Sequence, residues 1–186
     1  MSLARTRLNL AFRQLLAEQD YLDITVGQIL AQAQVSKATF YRHYQRKLDL
    51  FIEMHQGLIA AMLADFQQAE DWLSLQPPSS LIRLSLQAAK KGARRSTTAY
   101  QLGSDWPLAT RMLNQAFANA IAARLQQAFS EPQWRDPVSD VASYLSVMYM
   151  DYMMQVNQMP SPQAATQKAQ LLQRYTRAML LESLQQ

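Results

Sequence analysis

The stretch SKATFYRHYQRK, residues 36–47, places four basic residues, a histidine and three aromatics in twelve positions. Lys37 and Arg42 can donate to guanine O6 and N7, and Thr39 can donate to or accept from a base edge. Tyr41, His43 and Lys47 can reach phosphate oxygens, which orient a protein on a duplex without reading it. Ala38 is small enough for close approach to a base or a thymine methyl. Phe40 and Tyr44 lie four apart, so on a helix they share a face and are expected to pack on the first helix. The chemistry is polyanion recognition, with the aromatics divided between an inward and an outward task.

The charge of the chain points the same way. Of 186 residues with a net charge of +4, the first fifty hold seven Lys/Arg against four Asp/Glu, and the remainder eleven against ten. The surplus therefore sits in about a quarter of the chain, a basic head on a near-neutral body. No cysteine is present, which excludes disulfides, thiolate metal sites and cysteine nucleophiles. Neither a secretory h-region nor an apolar run long enough to span a bilayer is visible, so a cytoplasmic protein with no membrane partner is expected.

These residues need elements to hold them. Only four glycines occur, and Leu, Ala, Gln, Arg and Met dominate without period-two alternation, so an all-α fold is expected. The first helix is predicted over about 2–19, with Leu8, Ala11, Phe12, Leu15 and Leu16 on one face. Thr25 with Gln28 three residues later forms a capping-box pattern opening a helix to about Ala33. After the turn AQVS, Ser36 caps a helix over about 37–44, and a connector helix runs over about 47–70. DWLSLQPPSS then reads as a linker, because Pro77 and Pro78 cannot continue a helix interior. Body segments are predicted at about 79–94, 97–103, 107–129, 137–158 and 162–184, about nine helices in all.

A capped helix of about eight residues, a short turn and a second short helix is the pattern of a helix-turn-helix, whose second helix enters the major groove. The alternative, a helical hairpin with a solvated charged face, leaves the agreement of cap, turn, core spacing and outward cations unexplained.

Residues 25–51, TVGQILAQAQVSKATFYRHYQRKLDLF, resemble the signature of TetR-family bacterial transcriptional regulators. The resemblance lies in Thr25, Ile29, Ala33, the VS before the recognition helix, TFYRHY, Lys47 and Leu50-Phe51, with Leu15 and Tyr21 fitting upstream. It implies a DNA-binding head over 1–46 and a regulatory and dimerisation domain over 47–186. It also implies Thr25, Tyr41, His43 and Lys47 on phosphates, and Lys37, Ala38, Thr39 and Arg42 near bases, with Ser36 opening the reading helix. Two positions depart from the family pattern. Gln34 stands where glycine is frequent in the turn, so it must adopt or avoid a left-handed backbone, and Ala38 also replaces a common glycine.

The last two helices are apolar over more than half their circumference, which calls for neighbours on more than one side. Val147, Met150, Met154, Leu171, Tyr175 and Ala178 are the candidate dimer contacts, and the resemblance implies a four-helix interface between two copies. A homodimer would present two heads to a pseudo-palindromic operator. The resemblance also implies a small-molecule pocket in the body, for which Trp106, Met112, Phe117, Tyr144, Met148 and Tyr152 are candidate walls suited to a largely apolar or aromatic effector. Such residues at helical spacing also serve as plain core. Asp105 and Asp151 are either selectors of a cationic ligand or, more simply, solvent-facing carboxylates.

Enzymatic chemistry finds no support. His43 and His55 fall on different predicted helices, and no P-loop, G-x-S-x-G, H-E-x-x-H or dinucleotide fingerprint is present. No catalytic residue, metal site or cofactor is expected. The reading is a homodimeric, bacterial, cytoplasmic repressor, associated with the nucleoid when bound to double-stranded DNA and released by a small effector. The alternative is a DNA-binding organiser or occlusion protein of the same fold without an inducer.

Overall fold

The computed structural model describes residues 2–91, 102–156 and 158–185. Among them are nine α-helices and no strand, in agreement with the all-α expectation. They are α1 (Leu3–Glu18), α2 (Val26–Ala33), α3 (Lys37–His43), α4 (Lys47–Met62), α5 (Ala69–Leu73), α6 (Ser79–Lys91), α7 (Trp106–Ala128), α8 (Val138–Val156) and α9 (Pro162–Ser183). The chain divides into two compact units: Met1–His55 with Thr97–Thr110, and Gln56–Ser96 with Arg111–Gln186. The expected division at 46/47 thus differs in two ways: the first unit takes the opening of α4 and a distant segment whose described part is 102–110.

In the first unit, side-chain caps start the helices. Ser2 Oγ accepts from the Arg5 amide at 3.4 Å, and Thr25 and Gln28 form the anticipated reciprocal box, with Thr25 N–H donating to Gln28 Oε1 at 2.7 Å. Ser36 Oγ accepts from the Thr39 amide at 3.1 Å. Leu8, Phe12, Ile24, Ile29 and Phe40 are buried to 1% exposure or less and form the core that α1, α2 and α3 share. Gln34 adopts the left-handed conformation the turn demands, at φ 52° and ψ 47°. The Val35 amide then donates to Leu30 O at 3.1 Å, which closes α2.

In the second unit, α4 stops at Met62 rather than near 70, and part of the expected linker is helical as α5. Asp71 accounts for the difference. Its Oδ2 accepts from the Gln67 and Gln68 amides at 2.9 and 2.8 Å, a helix start that the following prolines obscured in the sequence. Phe66 and Trp72 are fully buried with ring centroids 4.4 Å apart. Tyr149 of α8 meets Phe66 and Phe117 at 6.2 and 6.3 Å, forming an aromatic centre. Carbonyls at the end of α5 find donors on α9: Gln173 Nε2 lies 3.2, 3.1 and 3.0 Å from Asp71 O, Trp72 O and Ser74 O, and Arg177 Nε donates to Leu73 O at 2.9 Å. Helix α9 also packs on α6 and α8. The body helices α6 to α9 otherwise start within a few residues of expectation, and the expected end of α6 near 94 lies outside the described residues. Of the segment expected at 97–103, residues 97–101 lie outside the described residues, and Gly103–Asp105 forms a single 3-10 turn.

Candidate nucleic-acid interface

Helix α3 has only seven residues and would be marginal alone, so its orientation depends on its buried face. Phe40 is 0% and Tyr44 4% exposed, with ring centroids 5.4 Å apart. Burying these two turns Lys37, Ala38, Tyr41, Arg42 and His43 outward, where all five are exposed. Thr39 is half-buried, its hydroxyl 2.9 Å from that of Ser36. Lys37 Nζ lies 6.0 Å from the centroid of the Tyr41 ring, and neither Lys37 nor Arg42 has an ion-pair partner among the described residues. The outcome is a short helix with one apolar side and one side of exposed, uncompensated cations and hydroxyls. Thr25 is exposed at the start of α2, its hydroxyl engaged with Gln28.

Lys47 is placed differently from expectation. Its ammonium donates to the carbonyls of Tyr21 and, at 2.6 Å, Ile24, and sits 4.0 Å from the centroid of the Tyr21 ring. It therefore staples the start of α4 to the turn before α2 instead of projecting as a free cation. Burial lowers its pKa, and the charges of Asp105 and Asp23 oppose that shift. A desolvated ammonium needs acceptors, and the two carbonyls supply them.

A polar cluster beneath α3 was not anticipated. Glu53 Oε2 accepts from Arg5 Nη2 at 2.6 Å and from the Tyr44 hydroxyl at 3.0 Å, and Glu53 Oε1 accepts from Asn9 Nδ2 at 3.0 Å. Burial, with a further push from Glu53, raises the Tyr44 phenol to about 12, although Arg5 acts against the shift. One sequence signal was available: Asn9 stands beside Leu8 and one turn from Phe12, and a polar side chain on a buried face requires a partner. Nothing in the sequence identified that partner as Glu53. Asp105, expected to face solvent or a ligand, instead accepts from the Tyr21 hydroxyl at 2.9 Å.

The body candidates differ in burial. Phe117 and Tyr152 are 0% and 2% exposed, Phe117 against Tyr149 and Tyr152 hydrogen-bonded to the Ser85 hydroxyl. Tyr144 is 68% exposed, and Met112 and Met148 are half-buried. Trp106 belongs to the first unit. The core role is thus the one observed for Phe117 and Tyr152, and Tyr144 is turned to the surface, because α8 buries Val141, Leu145, Tyr149 and Tyr152 instead. Among the candidate dimer contacts, Val147 and Tyr175 are 58% and 51% exposed, Ala178 is exposed, and Leu171 and Met154 are half-buried. Met150, at 5% exposure, is a correction: it faces its own core.

Comparison with known proteins now bears directly on the head. Residues 11–54 match the family model described as bacterial regulatory proteins, tetR family. The head of the chain is thus similar to the DNA-binding region of tetR-family regulators. The matched residues run from the buried face of α1 through α3 into α4. Among solved structures, the crystal structure of E. coli NemR in its reduced form is similar at 14% identity, covering 89% of this chain and 94% of that one, with a TM-score of 0.42. A search of curated proteins finds no match. No helix among the described residues is long and apolar enough to cross a membrane.

Proposed function

We propose that this chain is a TetR-family regulator, a homodimeric repressor that binds a pseudo-palindromic operator and is released by a small, largely apolar or aromatic effector. The observation that carries the DNA reading is the two-sided α3: Phe40 and Tyr44 inside, Lys37, Ala38, Tyr41 and Arg42 outside. On this reading Lys37, Ala38, Thr39 and Arg42 address base edges, and Thr25, Tyr41 and His43 address phosphates. Lys47 serves by holding the turn before Thr25.

Dimerisation is supported by a surface stripe on α9, where Leu171, Tyr175, Ala178 and Leu181 follow one another at helical spacing. Tyr175 and Leu181 are 51% and 42% exposed, and Tyr144 and Val147 on α8 are 68% and 58% exposed. An apolar stripe of this extent is an association surface more often than an idle one. Two copies sharing it would offer paired reading helices to two half-sites. Effector release follows the family's habit. The effector would have to favour one dimer shape over another.

Selecting duplexes from a random pool tests the proposal. A palindromic consensus bound about a thousandfold or more above random DNA is expected. Arg42→Ala should erode preference at defined positions, whereas Lys37→Ala and Arg42→Ala losing equally on selected and random DNA would contradict base reading. A sedimenting monomer at micromolar concentration would end the dimer claim.

A further inference from the structure

The turn preceding α2 is held from two sides. From one side Lys47 Nζ donates to Tyr21 O and Ile24 O, two carbonyls of the turn that leads to the N-cap Thr25. From the other side the Tyr21 hydroxyl donates to Asp105 Oδ2 at 2.9 Å, although Asp105 is 84 residues away in sequence. The ring of Tyr21 lies between these anchors, 1% exposed, edge-on to Phe12 and Phe51 at 6.3 and 5.5 Å. The approach of the distant segment has its own device. Gly103 takes φ +51°, and a Cβ there would lie 3.3 Å from Leu22 Cδ2, so glycine allows the chain to turn against Leu22 and aim Asp105 at Tyr21. Leu102, at 0% exposure, anchors the same turn.

We propose that Asp105 is a positioning residue of the DNA-binding head, acting through Tyr21 to fix the Asp20–Ile24 turn and hence the place of Thr25 relative to α3. The carboxylate supplies the acceptor for a phenol that would otherwise be buried with an unpaired hydroxyl. The ammonium and the phenol share one short turn, so loosening either anchor shifts the start of α2. The head is thereby incomplete as residues 1–46 alone; a residue from the second half of the sequence completes it. This inference rests on the DNA-binding reading of α2 and α3.

The test uses the full chain and a fluorescein-labelled duplex carrying the sequence that the wild-type protein selects from a random pool. Affinity is read by anisotropy well below the melting temperature, with the active fraction titrated for each variant. Asp105→Ala and Tyr21→Phe should each weaken binding about three- to tenfold, the scale of one charge-assisted hydrogen bond acting at one remove. The double variant should lose no more than either single one, because both remove the same link. Asp105→Asn keeps an oxygen acceptor and removes a negative charge, so it should bind as tightly as wild type or tighter. A purely structural role would lower the melting temperature of Asp105→Ala without moving the affinity of the folded protein. Should Asp105→Ala not fold, Tyr21→Phe carries the same expectation with the loss of one oxygen.

Arg42→Ala serves as the control that separates the two readings. If it weakens binding while Asp105→Ala and Tyr21→Phe do not, the positioning role is overturned and the DNA-binding head stands. If Asp105→Asn binds as weakly as Asp105→Ala, the hydrogen-bond account is likewise overturned. If none of the variants changes affinity, the reading of α2 and α3 falls, and the role of Asp105 with it.

Discussion

Replacing Glu53 by alanine should destabilise the head far more than its single charge suggests. The carboxylate accepts from Tyr44, Asn9 and Arg5, which come from the end of α3 and from α1, while Glu53 itself stands on α4. Tyr44 and Asn9 are 4% and 9% exposed, so water does not readily replace the lost acceptor. A buried donor left unpaired costs about 1–3 kcal/mol. Asn9 Nδ2 retains Arg5 O at 3.2 Å, which places its share at the lower end of that range. The Arg5 side chain, 40% exposed, stays solvated and adds little. The expected loss for Glu53→Ala is about 2–4 kcal/mol, a large part of the roughly 5–15 kcal/mol by which a domain is stable. Glu53→Gln, of similar size and with one good acceptor, should lose about half as much. Urea unfolding followed by circular dichroism, with the denaturant slope checked for constancy, measures both. Tyr44→Phe combined with Glu53→Ala should show a coupling of about 1 kcal/mol. A Glu53→Ala protein within about 0.5 kcal/mol of wild type, the range of ordinary surface changes, would refute the view that this carboxylate ties three helices together.

Other substitutions probe separate features. Gln34 is exposed and left-handed at φ 52°, so Gln34→Gly should raise stability by about 0.5–1 kcal/mol, seen as a higher melting temperature; no gain would mean that the side chain offsets the strain. His55 donates Nδ1–H to Phe51 O at 2.9 Å in its neutral form, and burial lowers its pKa from 6.5, with Arg13 pushing the same way. The unfolded chain therefore takes up the proton first. The stability contributed by neutral His55 is intact above about pH 6.5 and declines as pH falls from there towards the folded pKa. His55→Gln should flatten that decline, and an unchanged pH profile would remove His55 as its source. Val147→Asp, at a position 58% exposed, should convert a sedimenting dimer to a monomer with its helix content and melting cooperativity preserved; a persistent dimer would move the interface elsewhere.

Much of the head was legible because its determinants are local. Thr25 with Gln28, and Ser36 before a helix, are contacts across three residues, so their spacing alone forecasts the caps that form. Phe40 and Tyr44, one helical turn apart, likewise forecast the buried side of α3 and by exclusion its exposed cations. The body was less legible. Periodicity located α6 to α9 but not which sides of α8 face inward, since Tyr144, Met148, Met150 and Tyr152 are alike in type and differ in burial. The stretch before the prolines at 77 and 78 is helical at α5 rather than a linker, because the Asp71 side chain starts a helix there.

Residue types and short spacings were enough to determine that this chain is helical, that it carries a helix-turn-helix, and which side of the reading helix is cationic. Tertiary structure alone decided that Lys47 is spent on two carbonyls, that Glu53 gathers donors from two other helices, and that Asp105 reaches back to Tyr21. The physical reason is the range of the interactions. A cap or a helical face is closed within one turn of chain, whereas a buried ammonium, carboxylate or phenol must find its partner wherever the fold brings one. That partner's sequence distance carries no signal of its own.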